Sequence, residues 1–219
     1  MSNSINLLDP APAKVGELFA IARSVVAAAA PNATADEHHW RAWFQTYLMW
    51  HESAQLATRR QFNNGPGRGL MQFEATTAWD TIKLYVLGPT PGLVRRLADA
   101  ANVEVQSEMA PALQAFGALP NPGNVWPAAS PASRVECWLL NNDRFGIALM
   151  QIHLERFGAA LPPFPPVLPT ADPRDPKFRS QHAEAWADEW WKGPAAERPA
   201  RLQAFHASAA ALNLALGIP

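Results

Sequence analysis

Residues 34 to about 54 constrain the fold of this chain most. Thr34-Ala35-Asp36-Glu37 has the form of a capping box, with Thr34 as N-cap and Glu37 three positions on. Behind it Trp40, Trp43, Phe44, Tyr47, Leu48, Trp50 and His51 fall on one broad arc of a helix. The pattern predicts an amphipathic helix that needs covering elements. Glu52 lies at the edge of that arc, about 40° beyond Leu48 by helical geometry. An acid there sits at a rim, neither deep in the core nor on the solvent face.

The same periodicity recurs on both sides. Residues 12–30 read as a first helix, through Val15, Leu18, Phe19, Ile21, Ala22, Val25 and Val26, stopped at Pro31-Asn32. Residues 74–87 return to helical spacing and close at Gly88-Pro89. Residues 91–101 and 104–118 predict further helices, the second interrupted at Pro111. A Pro/Gly loop over 121–131 leads into a helical stretch over 133–157, with a break near Asn141-Asn142-Asp143. Residues 161–176 hold seven prolines in sixteen positions, which predicts an extended strap. Residues 181–192 and 200–216 read as closing helices. Strand pattern is nearly absent, and no internal repeat is visible. The expected architecture is a single all-α domain. Residues 1–34 supply an N-terminal helix packing on the main domain, 35–160 the core, and 161–219 the Pro-rich strap and C-terminal helices.

Composition narrows the function. The 219 residues, 48% apolar with nine tryptophans, suffice for one sizeable core. A formal net charge of −1, with Lys and Arg scattered, leaves no electrostatic footprint for nucleic acid. The one cysteine, Cys137, excludes an intramolecular disulfide and a cysteine-based metal cluster. Its neighbours Val135 and Trp138 predict a buried, inert thiol. The opening MSNSINLLDPAPAK lacks a basic segment followed by a long apolar run, so no signal peptide is expected. The apolar run over 20–30 carries Arg23 and falls short of the about 20 residues a membrane span needs.

The stretch 51–77, HESAQLATRRQFNNGPGRGLMQFEATT, carries the chemistry. Glu52-Ser53 stands at the end of the aromatic helix. A Gly/Asn loop comes next, then Gly69-Leu70-Met71-Gln72-Phe73 and a helix start. Protonating a glycosidic oxygen near neutral pH takes a carboxylic acid whose pKa an apolar setting has raised. Glu52 beside Tyr47, Leu48 and Phe73 fits that need; the plain alternative is a solvated helix-end glutamate. Glycines at 65, 67 and 69 let backbone approach a ligand closely. There is no G-x-x-x-x-G-K-S/T and no preceding strand, so the loop is not a phosphate cradle. His51-Glu52 begins an H-E-x-x-H pattern, but position 55 is Gln, and His38, His39 and His51 lack ligand spacing. No metal and no cofactor are expected. Trp186, Trp190 and Trp191 suit either a sugar-stacking rim or a helix burying apolar area.

Glu52-Ser53, then Gly69-Leu70-Met71-Gln72, then Thr76-Thr77-Ala78 resembles the soluble lytic transglycosylases of the lysozyme-like superfamily. GPGRGLMQFE at 65–74 looks more like the lysozyme-like proteins encoded by tailed bacteriophages. So do DRFGIAL at 143–149, the Pro-rich strap and AWADEWWKGP at 185–194. The sharp part of the resemblance covers 27 residues, 51–77. It implies a lysozyme-like fold and cleavage of peptidoglycan between N-acetylmuramic acid and N-acetylglucosamine. Glu52 would match the catalytic acid, later the base that closes a 1,6-anhydro ring on the muramic 6-hydroxyl. Ser53 would match a residue orienting substrate or acid. Gly69, Leu70, Met71, Gln72 and Phe73 would match the sugar-binding wall. Partners would be glycan strands and other virion proteins, and delivery to the cell wall would be by virion or holin. The family's Ala-Tyr-Asn-Ala-Gly segment, whose Tyr contacts the acid, has no counterpart here. Gln151 or His153 is nearest by order, and both also suit a core-facing helix. A hydrolase would need a second carboxylate; Glu74 is the better candidate and Asp80 the other. As a helix-start acid, Glu74 would instead meet the macrodipole. The alternative class is a non-enzymatic virion structural or glycan-binding protein.

Overall fold

A computed structural model describes residues 15–61, 65–88, 92–155, 172–191 and 193–218. Among them the architecture is all-α, with no strand. The helices are α1 (Val15–Ala29), α2 (Ala35–Glu52), α3 (Ala75–Thr81), α4 (Leu93–Ala101), α5 (Ala110–Gly117), α6 (Arg134–Asn141), α7 (Asp143–Glu155), α8 (Pro176–Trp186) and α9 (Arg198–Ala215). Wider π-helical turns continue α3 over Ile82–Val86 and α8 over Ala187–Trp191, and another, Val105–Met109, precedes α5.

The capping box opens α2 as expected. Glu37 N–H donates to Thr34 Oγ1 at 3.2 Å, and Thr34 N–H donates to the Glu37 carboxylate at 2.6 Å. α2 is less amphipathic than its sequence predicts: Trp40 and every residue from Ala42 to Trp50 are buried. The reason is that α1 covers one side while α8 and α9 cover another, so α2 runs through the middle of the core. α1 also packs on α4 and α7. Polar contacts fasten α9 both to α2 and to the segment before α8. Tyr47 Oη donates to Asn213 Oδ1 at 3.0 Å, and Asn213 Nδ2 donates to the Pro173 carbonyl at 2.7 Å. His182, fully buried on α8, stacks on Trp40 at 4.6 Å and reaches the carbonyls of Phe178 and Trp40 at 2.7 and 3.1 Å.

The break in the 133–157 stretch falls at Asn142. Its side chain accepts from Phe145 N–H and donates to the Ala101 carbonyl, both at 3.0 Å, so it starts α7 and ties it to α4. α8 begins earlier than expected. Asp175 caps it, accepting from Lys177 N–H at 2.8 Å, and Pro176 takes the first turn, where a missing N–H costs nothing. The strap is therefore shorter than the proline count implies at its C-terminal end; positions 161–171 lie outside the described residues. Cys137 is only partly buried, a correction to the expected buried thiol.

The described residues between α2 and α3, 53–61 and 65–74, do not form a free loop. Arg59, on the loop, makes a two-pronged ion pair with Asp143 at the start of α7, its Nη2 donating to Oδ2 at 2.8 Å. Arg68 Nε donates to Glu136 of α6 at 2.6 Å, and Trp126 Nε1 donates to the Pro66 carbonyl at 2.7 Å. Gly69 has φ +71°, and a Cβ there would run into the Leu139 carbonyl of α6. Its close approach is to the protein's own backbone. Gly69→Ala should therefore lower stability by about 2 kcal/mol or more, from left-handed strain plus the clash. Urea denaturation measures this, and an unchanged midpoint would contradict it.

Candidate active site around Glu52

Glu52 closes α2, and helices from the far end of the chain close over it. Trp186, the last residue of α8 and nearly inaccessible, donates its indole N–H to Glu52 Oε1 at 2.7 Å. The Trp190 indole adds a weaker polar contact, and the Arg201 guanidinium of α9 acts on the same carboxyl. Burial nonetheless dominates and pushes the Glu52 carboxyl up to about 7. The residue keeps partial solvent access. His51 packs edge-on against Trp186 at 4.9 Å and against Phe205 at 5.1 Å. Burial, then the nearby Arg201 charge, lowers His51 to about 4, so it is neutral at physiological pH.

The chain reverses hand directly after the acid. Ala54, Gln55 and Leu56 have φ of +50°, +61° and +67°, three consecutive left-handed residues with side chains. Each such residue costs about 1–2 kcal/mol. Ser53 holds this turn. Fully buried, its Oγ donates to the Met49 carbonyl at 2.5 Å and accepts Leu56 N–H at 2.9 Å. Ser53 thus terminates α2 and fixes where Glu52 stops, with its buried hydroxyl engaged by backbone groups on both sides.

Most side chains of the glycine segment, expected as part of a sugar-binding wall, turn inward. Leu70, Met71 and Phe73 are buried at 4%, 1% and 0% exposure, and Gly69 abuts α6. Their side chains anchor the turn in the core because each has an apolar neighbour to cover it. Gln72 folds back, φ +52°, with Nε2 donating to the Gly69 carbonyl at 2.7 Å; its Oε1 is buried without a hydrogen-bond partner. Phe73 meets Trp190 at 5.3 Å, which places the segment behind the indole that touches Glu52.

Among the described side chains no second carboxylate acts on the titration of Glu52. Glu74 stands at the N-cap of α3, partly buried, with no capping bond from its side chain. Asp80 lies on α3 and is likewise partly buried. Of the two residues nearest to the missing Tyr-containing segment, Gln151 is fully buried and donates to Glu155 at 2.9 Å. His153 bonds Thr81 Oγ1 at 2.8 Å and meets both Phe73 and Trp190 edge-on, at 6.2 and 5.5 Å. It belongs to the packing behind Trp190.

Of the tryptophans, Trp186 is core and also the acid's hydrogen-bond donor, while Trp190 and Trp191 are partly buried beside it. Arg201 was missed, because an arginine in the first turns of a closing helix carries no pattern that points back to an acid on α2. No group of His, Cys, Asp and Glu among the described residues is arranged to hold a metal ion. No described helix is long and apolar enough to cross a membrane. No protein-family model matches the chain, and no curated protein or solved structure matches it either.

A raised Glu52 makes stability depend on pH. Between the ordinary value of 4.5 and about 7 the folded chain holds a proton that the unfolded chain has lost, so this group's contribution falls as pH rises through that window. His51 and His182, both lowered from 6.5 to about 4, act in the opposite sense between those values. Comparing wild type with Glu52→Gln isolates the acid. The variant should match wild type near pH 4 and exceed it by about 2 kcal/mol near pH 8, a figure discounted for partial solvent access. Urea titrations at the two pH values read the difference; an equal offset at both would contradict it.

Left-handed strain gives a second test. Gln55 is exposed with φ +61°, so Gln55→Gly should raise stability by up to about 1 kcal/mol, strain relief outweighing the added freedom of the unfolded chain. A lower midpoint in thermal denaturation would count against the turn.

Proposed function

We propose that this chain is a lysozyme-like, peptidoglycan-cleaving enzyme that follows the one-acid route of a lytic transglycosylase. The observation that carries the reading is Glu52: a carboxyl on a partly exposed helix-end residue, pushed up to about 7 by burial and held by an indole N–H. Half-protonated near neutral pH, such a group can give a proton and then take one.

Glu52 would first protonate the glycosidic oxygen between N-acetylmuramic acid and N-acetylglucosamine. The C1–O bond breaks, and the glucosamine 4-hydroxyl leaves with the proton. The Glu52 carboxylate would then take the proton of the muramic 6-hydroxyl, whose oxygen closes onto C1 as a 1,6-anhydro ring. Glu52 ends protonated, and no water is consumed. Hydrolysis by a carboxylate pair would need a second acid about 5–9.5 Å away. Among the described residues the groups acting on Glu52 are two indoles and one guanidinium, which favours the one-acid route. The phage origin implied by the sequence, action at the cell wall and delivery by virion or holin belong to the same proposal.

One observation favours a second reading, a glycan-binding or virion structural protein without turnover. Leu70, Met71 and Phe73 are spent on the core and leave no side-chain sugar wall on that segment. Treating purified sacculi with wild type and Glu52→Gln separates the two. Wild type should release muropeptides with 1,6-anhydro ends, and the variant should release at least about a hundredfold fewer. Reducing ends would indicate a hydrolase. No release by wild type, or equal release by the variant, would overturn the enzymatic reading.

A further inference from the structure

Arg201 is the charged side chain that acts on Glu52. It is one turn into α9, and its guanidinium lies over the Trp191 ring, 6.0 Å from the centroid. Trp191 is itself fixed: it stacks on Trp186 at 6.0 Å and covers Gly193, where a Cβ would run into the indole. Trp186 in turn donates to Glu52. A continuous series of contacts therefore runs from the buried acid out to a guanidinium at the surface. Arg201 also acts electrostatically on both Glu52 and His51, which places its charge near both side chains. Its ion pair with Glu197, at 3.4 Å, joins two half-exposed side chains one turn apart and is of the weak, solvent-screened kind. Arg198 differs: it is engaged by both Asp188 and Glu184.

A cation held on an aromatic face beside an acid is suited to a ligand that brings a negative charge next to the bond being cleaved. Guanidinium binds carboxylate in a two-pronged geometry that an uncharged hydroxyl cannot match. We propose that Arg201, positioned by Trp191, is a specificity-determining residue that binds a carboxylate carried by the glycan unit next to Glu52. This rests on the reading of the site as a peptidoglycan site. The carboxylate has two sources, the free lactyl group of an unsubstituted muramic acid or the stem peptide attached to it. Neutral chito-oligosaccharides would lack the contact.

Calorimetric titration of the Glu52→Gln chain measures binding without turnover. Three probes are used: a GlcNAc–MurNAc tetrasaccharide with free lactyl groups, the same glycan bearing stem peptides, and chitotetraose. Either or both anionic glycans should bind more tightly than chitotetraose, and whichever does identifies the source of the carboxylate. Adding Arg201→Gln should weaken that binding about tenfold, the loss of about 1.4 kcal/mol, and leave chitotetraose unchanged. Adding Arg198→Gln instead should change none of the three. Binding that does not distinguish the probes, or that Arg201→Gln weakens equally for all, overturns this inference alone. Failure to bind any probe overturns it together with the reading it rests on. Selective, Arg201-dependent binding by a protein that releases nothing from sacculi would uphold it while removing the enzymatic claim.

Discussion

The contact between the Trp186 indole and Glu52 spans 134 positions of sequence, and most of the structure serves to make it. A carboxyl at the end of a helix is ordinarily hydrated and ionised at neutral pH. Here α8 and α9 close over it: the indoles of Trp186 and Trp190 reach the carboxyl, and Phe205 and the neutral His51 pack against Trp186. The apolar cover raises proton affinity, while the indole N–H and Arg201 limit the rise. That balance sets the value near neutrality. A fully dry pocket without donors would have produced an acid with no tendency to let its proton go.

Holding α8 and α9 there requires α2 to be a fixed reference. α2 is buried almost throughout; its first turns are tied to α8 through Trp40 and His182, and its later turns to α9 through Tyr47 and Asn213. Its near end is stopped by Ser53 and by a left-handed turn that is costly on its own. The turn persists because the segment after it is anchored: Arg59 to Asp143, Arg68 to Glu136, and Leu70, Met71 and Phe73 in the core. Backbone strain next to a titratable group with a shifted pKa is the pattern expected where structure has been committed to chemistry rather than stability.

Much of this was legible in the sequence where the signal is local. The capping box at Thr34, the all-α pattern, the interruption at Asn142 and the rim position of Glu52 follow from short-range chemistry and helical spacing. The burial of α2 on nearly all sides did not, since periodicity reports one covered face while three other helices decide the rest. Ser53 and the glycine segment stand out by residue type, but the contacts they make are not legible in the sequence. A glycine chosen because backbone approaches Leu139 reads the same in sequence as one chosen because backbone approaches a ligand. Trp186, Trp190 and Trp191 stood out as a cluster, and Arg201 did not stand out at all; only the packing of α8 and α9 on α2 reveals which acid they address.

The central claim is that Glu52 titrates near neutrality because α8 and α9 exclude water from it. Carbon-detected NMR of the Glu52 side-chain carboxyl across a pH range bracketing the ordinary value of 4.5 and the shifted value of about 7 measures this directly. The expected midpoint is about 7, moving higher in Trp186→Phe, which keeps the apolar cover but removes the N–H donor. A midpoint at the ordinary 4.5 in the folded protein would contradict the claim.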